Sequence, residues 1–171
     1  MPADLLCLPS RDGSGAVHVV IESPQGSRVK LKYSPELRTF VLSRPLVLGL
    51  AYPFDWGFVP GTRAADGDPL DAMVILDAAT YPGVVICCRP LAVLEVEQNA
   101  KDGGGRQRND RIVAEPVSGH RSAGVLSPRV RGELEAFFVS ITLFEGKDVR
   151  LLGWGDAAAA EALIDRTSRS P

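Results

Sequence analysis

Histidine, cysteine and aromatic residues are all scarce here: two His, three Cys, and 6% Phe, Trp and Tyr. With only His18 and His120 available, a His-based metal centre or a catalytic triad is not expected. Cys7, Cys87 and Cys88 are odd in number, and the adjacent pair would point to opposite faces of a strand, so they read as reduced thiols rather than a disulfide framework or a zinc site. No apolar run approaches the roughly 18 residues of a membrane span. The first ten residues carry Asp4 and no basic segment, which argues against a secretory leader and for a cytoplasmic protein. A net charge of -2 and a pI near 5.7 exclude a general attraction to nucleic acid or anionic membrane. The few aromatics also speak against base stacking by an OB-type nucleic-acid binder.

Present instead is an ordinary globular composition, 45% hydrophobic and 23% charged over 171 residues. This predicts a single domain spanning residues 1–171 that buries roughly 68–70% of its unfolded surface, with residues 1–14 and 167–171 frayed. Short β-rich runs dominate: Ala16 to Glu22, Arg28 to Tyr33, Arg38 to Leu42, Met73 to Asp77, Val84 to Cys88, and Leu91 to Glu97. Such runs between Gly and Pro turns predict a barrel or sandwich. Pro53, Pro60, Pro69, Pro82 and Pro90 leave no room for a long helix between residues 45 and 95.

The polar stretch from Gln98 to Asp110, with Gly103, Gly104 and Gly105, reads as an exposed hairpin loop. Leu134, Phe137, Phe138, Ile141 and Phe144 carry helical spacing, which predicts a helix over Glu133 to Phe144 ended by Gly146. A strand over Val149 to Leu152 follows, then a helix over Ala157 to Arg166 capped by Asp156. Leu46, Val47, Leu48 and Leu50 suit an interface and the core equally.

One constellation carries chemistry. In Asp-Gly-Asp-Pro-Leu-Asp, residues 66–71, three carboxylates fall within six positions, and Gly67 and Pro69 favour a bent loop. Close carboxylates repel one another unless a cation or a strong donor neutralises them. Clustered hard oxygen ligands suit Mg²⁺ or Mn²⁺ rather than zinc or copper. An EF-hand is excluded, because no regular ligand loop ending in Glu follows.

The stretch DGDPLDA, residues 66–72, resembles the signature of the soluble family I inorganic pyrophosphatases. VVIESPQGSRVK ending at Lys30, YPFDWGFVPGT starting at Tyr52, PGVVICCRPLAVLEVE and GWGDAAAAEALI extend the resemblance in collinear order over about residues 15–165. It implies an OB-like five-stranded β-barrel flanked by two C-terminal helices, a homo-hexamer, and Mg²⁺-dependent hydrolysis of pyrophosphate to two phosphates. It further implies metal ligation by Asp66 and Asp71, with Glu22 holding a further metal through water. Asp68 would orient or deprotonate the attacking water, and Lys30, Arg44, Tyr52 and Arg111 would bind substrate.

Several family positions are substituted. An acidic residue is replaced by Lys32, a tyrosine by Trp56, two aspartates by Gln98 and Asn109, and a Tyr-Lys pair by Ile141 and Thr142. The site is therefore more positive than the family pattern and poorer in metal ligands. Strand alternation directs Asp110 away from the face of Asn109, while a one-residue bulge would bring it in. Two readings stay open: a working Mg²⁺-dependent pyrophosphatase with a remodelled site, and a catalytically impaired relative that binds metal and phosphate-type anions.

Overall fold

The computed structural model describes residues 4–118 and 126–168. In chain order its strands are β1 (Val17–Ser23), β2 (Val29–Ser34), β3 (Thr39–Pro45), β4 (Asp55–Val59), β5 (Leu70–Val74), β6 (Val85–Asn99), β7 (Arg106–Arg108), β8 (Arg111–Pro116) and β9 (Arg150–Gly155). Two helices complete it, α1 (Pro128–Ser140) and α2 (Ala157–Thr167). Strands β1, β4, β5, β8 and β6 are joined in that order, and β6 pairs back onto β1, so five strands close into a ring. Closure leaves no open edge among them, the feature that defines a small OB-like barrel. Within the ring only β5–β8 is parallel.

Apolar side chains occupy both faces of the ring. Val17, Val19, Ile21, Val59, Leu70, Ala72, Val74, Val93, Ile112 and Ala114 form one cluster with Ala160, Leu163 and Ile164 of α2. On the other face Met73, Leu94, Val96 and Val113 meet Tyr52, Trp56 and the α1 residues Leu134, Phe137 and Phe138. The hairpin of β2 and β3 forms a separate two-stranded sheet.

Several elements differ from the sequence expectation. The two runs around Pro90 form one strand of 15 residues, because a register shift between Pro90 and Ala92 absorbs the missing N–H. Strand β4 lies between Pro53 and Pro60, where proline density masked it. Helix α1 starts earlier than expected, with Ser127 accepting from Val130 N at 3.2 Å and Pro128 in the first turn, and it ends at Ser140. Phe144, expected as the last apolar residue of the helix, lies beyond that end and is 86% exposed. The expected Asp156 cap is present, accepting from Ala159 N at 2.9 Å.

Residues 4–14 are held in place rather than frayed as expected, and residues 1–3 lie outside the described residues. Leu5, Leu6 and Leu8 pack against Tyr33 and Phe58, and a hairpin over residues 10–18 is held by the backbone. Thr167 and Ser168 are likewise tied to Arg63 and Thr62; residues 169–171 lie outside the described residues, as does His120. Among the described residues, no helix is long and apolar enough to cross a membrane.

Gly57 marks a close backbone approach in the ring. A side-chain carbon there would collide with the Val20 carbonyl and the Ile21 backbone across the β1–β4 ladder. Gly132, by contrast, faces open space on α1. Urea unfolding should therefore separate two chemically identical changes. Gly57→Ala is expected to destabilise by roughly 1–3 kcal/mol or more, and Gly132→Ala to stabilise by about 0.5–1 kcal/mol. Equal effects would refute this account of the ring.

Candidate active site

The site is assembled by strand register. Lys30 and Arg44 are partners in the β2–β3 ladder. Asp71 and Arg111 are partners in the parallel β5–β8 ladder, and their side chains form an ion pair at 2.9 Å. The loop before β5 is tight: Asp68 N donates to Asp66 Oδ1 at 3.1 Å, Ala64 N to the Asp68 carbonyl at 2.8 Å, and Gly67 takes a φ of 86°. This is the bent aspartate loop expected from Gly67 and Pro69. With the end of α1 and the residues after it, these elements enclose a cavity of about 720 Å³.

Every residue given a site role from the sequence lines that cavity. Glu22, Asp66, Asp68 and Asp71 share it with Lys30, Arg44, Tyr52 and Arg111, and so do Lys32, Trp56, Gln98, Asn109, Ile141 and Thr142, the positions expected to depart from the family pattern. Asp110 does not enter. Its Oδ1 accepts from Val96 N at 2.9 Å, and both carboxylate oxygens pair with Arg108 at 3.0 Å. Alternation thus holds, and Asp110 does not supply a carboxylate beside Asn109.

Burial sets the protonation of the walls. Burial pushes the Glu22 carboxyl up to about 7, even though its Oε1 accepts from Tyr33 N at 2.7 Å; the Asp71 charge adds to the rise. Burial also brings the Lys30 ammonium down to about 8, against the attraction of Asp71, and raises the Tyr52 hydroxyl. Arg111 is wedged over Trp56 and Phe138, with its guanidinium carbon 5.7 and 5.8 Å from the ring centroids.

Three charged residues of the cavity were not picked out from the sequence: Lys101, Glu145 and Lys147. Lys101 reaches back from the turn between β6 and β7 to Asp68 Oδ2 at 2.8 Å and Asp66 Oδ2 at 3.6 Å. Lys32 meets the same Asp68 Oδ2 at 3.5 Å. These ammonium groups outweigh burial and hold the Asp68 carboxyl below its ordinary range. Glu145 pairs with Arg44 and, at 2.7 Å, with Lys147, whose ammonium is lowered first by burial and then by Arg111. The Thr142 hydroxyl is turned to the Phe138 and Val139 carbonyls at 3.2 and 3.1 Å. A lysine inside a Gly-rich loop gives no signal of such a contact in sequence.

The donor set fits a divalent cation. Asp66 and Asp71 present hard oxygen ligands, and the buried amide oxygen of Gln98 has no hydrogen-bond partner among the described residues. Lys32, Lys101 and Arg111 compete for the same carboxylates, so fewer ligands are free than in an unpaired cluster.

The relatives of this chain agree with the site. The family model for inorganic pyrophosphatase matches residues 19–170. The chain is 39% identical over 172 residues to the inorganic pyrophosphatase of Nostoc sp. (strain PCC 7120 / SAG 25.82 / UTEX 2576), covering 98% of each chain. It is 38% identical over 167 residues to that of Synechocystis sp. (strain ATCC 27184 / PCC 6803 / Kazusa), covering 95% of each. Its fold superposes on the inorganic pyrophosphatase of Thermus thermophilus with a TM-score of 0.87 and 32% identity, over 96% of this chain and 97% of that one. Fold, site and relatives agree that the chain belongs to the inorganic pyrophosphatase family.

Proposed function

We propose that this chain hydrolyses inorganic pyrophosphate to two phosphates with the help of Mg²⁺ or Mn²⁺. The observation that carries this reading is the convergence of Asp66, Asp68, Asp71 and Glu22 with Lys30, Arg44 and Arg111 in one cavity. Asp66, Asp71, Glu22 and the Gln98 amide oxygen would hold the cation. When bound, the cation screens the anionic substrate and lowers the pKa of water beside it.

The chain's own residues supply the rest. Lys30, Arg44 and Arg111 bind phosphate oxygens and stabilise the charge that collects on the leaving phosphate as the P–O–P bridge breaks. Asp68 accepts the proton of the attacking water. Both lysine contacts engage its Oδ2, which directs this role to Oδ1. Tyr52, with its hydroxyl kept protonated, donates to a substrate oxygen.

A second reading, slow turnover with anion binding retained, is favoured by the pairing of Lys32 and Lys101 with the aspartate loop. A phosphate-release assay with Mg²⁺ and pyrophosphate separates the two. Turnover well above background that falls at least about 10²-fold in Asp68→Asn supports the enzyme; background rates at every Mg²⁺ concentration leave only the binder. In the same series Lys101→Ala should bind Mg²⁺ roughly two- to fivefold tighter by calorimetry. Unchanged affinity would show that Lys101 does not compete with the cation.

Glu22 predicts a pH dependence of stability. Its folded pKa of about 7 lies above the ordinary 4.5, so its contribution is complete below about pH 4.5 and is lost as pH rises through about 7. Metal-free protein should lose stability on the order of 3 kcal/mol across that window. Mg²⁺ should reduce the loss by favouring the carboxylate, and Glu22→Gln should flatten the profile. A melting temperature independent of pH from 5 to about 8 in metal-free protein would contradict this.

Family membership also supports a cytoplasmic homo-hexamer. Leu48, Leu143 and Phe144 are 96, 61 and 86% exposed, and Val47 and Phe144 line one shallow hollow, which suits burial between copies. Light scattering that returns the 18.3 kDa mass of one chain would refute the assembly.

A further inference from the structure

Asp12, His18 and Cys87 come together at a place that shares no residue with the cavity. His18 and Cys87 are partners in the β1–β6 ladder. Asp12 is brought to them by the N-terminal hairpin, which is held by Asp12 N to the Ala16 carbonyl at 2.9 Å and His18 N to the Ser10 carbonyl at 2.9 Å. One ligating atom from each side chain lies within 4.8 Å of the other two. A tetrahedral zinc ion with bonds of about 2.0–2.3 Å has ligand edges of roughly 3.3–3.8 Å, so small side-chain rotations would close the set.

The surrounding bonds orient these groups and leave lone pairs for a metal. A carbonyl only accepts, so the 2.8 Å contact between His18 Nδ1 and the Pro9 carbonyl places a hydrogen on Nδ1. With that hydrogen on Nδ1, Nε2 is the ring nitrogen left to ligate, and an Nδ1–H bonded to a carbonyl is the usual support of a metal-binding histidine. Asp12 Oδ1 accepts from Ser14 N at 2.8 Å, Ser14 Oγ at 2.7 Å and Ala16 N at 2.9 Å, which fixes the carboxylate while Oδ2 takes no part in those bonds. The Cys87 thiol is raised by burial and by the Asp12 charge beside it, an arrangement that a cation would relieve.

We propose that Asp12, His18 and Cys87 form a second metal site, which takes a borderline-soft divalent ion of the Zn²⁺ class with water as fourth ligand. Mg²⁺ is a poor competitor there, because thiolate and imidazole are soft donors for a hard ion. Binding releases the Cys87 thiol proton to solvent. It clamps the N-terminal hairpin onto β1 and β6, and its effect is on stability rather than turnover.

Co²⁺ is the spectroscopic probe, added to the reduced full-length protein in excess Mg²⁺. The expected result is a near-ultraviolet thiolate-to-cobalt absorption that saturates at one ion per chain and is displaced by Zn²⁺. Cys87→Ser should abolish it, His18→Ala should weaken binding at least about tenfold, and Cys7→Ser should leave it intact. Pyrophosphate turnover in Mg²⁺ should be unchanged in His18→Ala. Mapped alkylation of the unmodified chain gives a second readout that needs no variant: Zn²⁺ should protect Cys87 and not the exposed Cys7. No thiolate band, a band that survives Cys87→Ser, or equal alkylation of Cys87 with and without Zn²⁺ would overturn the proposal.

Discussion

The pairing of β6 with four other strands holds the molecule together. Its first half closes the ring onto β1, its middle pairs with β8, and its far half carries β9 and β7. The apolar faces that bury α1 and α2 exist only because this strand continues through Pro90. The same continuity delivers Gln98 to the cavity wall and sets the β7 turn where Lys101 can reach the aspartate loop.

Within that frame the cavity is a balance of opposed charges. Parallel pairing of β5 and β8 sets Arg111 against Asp71, and the β2–β3 register sets Lys30 beside Arg44. Amides at Gln98 and Asn109 share the cavity with ammonium groups of Lys32 and Lys101, which pair with the aspartate loop. Internal cations thereby share part of the neutralising role of metal ions. A lysine screens charge, but it does not acidify water as a divalent ion does, so the two are unequal in the chemistry they permit.

Much of the fold was legible because local rules and global packing agreed. The Asp156 cap, the apolar spacing at Leu134, Phe137 and Phe138, and the short β-runs all have local causes. Failures fell where a local signal was overridden. Pro90 reads as a strand end, yet a bulge accommodates it. Pro53 and Pro60 hide β4, whose pairing is decided by β1 and β5. Phe144 fits the helical period but lies beyond the turn that ends α1.

The sequence by itself determined the ancestry and the identity of the candidate site residues, because closely spaced carboxylates and their collinear flanking segments are one-dimensional features. Tertiary structure decided which charges neutralise one another. It placed Lys101 on Asp66 and Asp68, turned Asp110 away, and brought Asp12, His18 and Cys87 within reach of a common ion. Electrostatic and ligand contacts act over a few ångströms between residues far apart in the chain, and strand register alone fixes which of them meet.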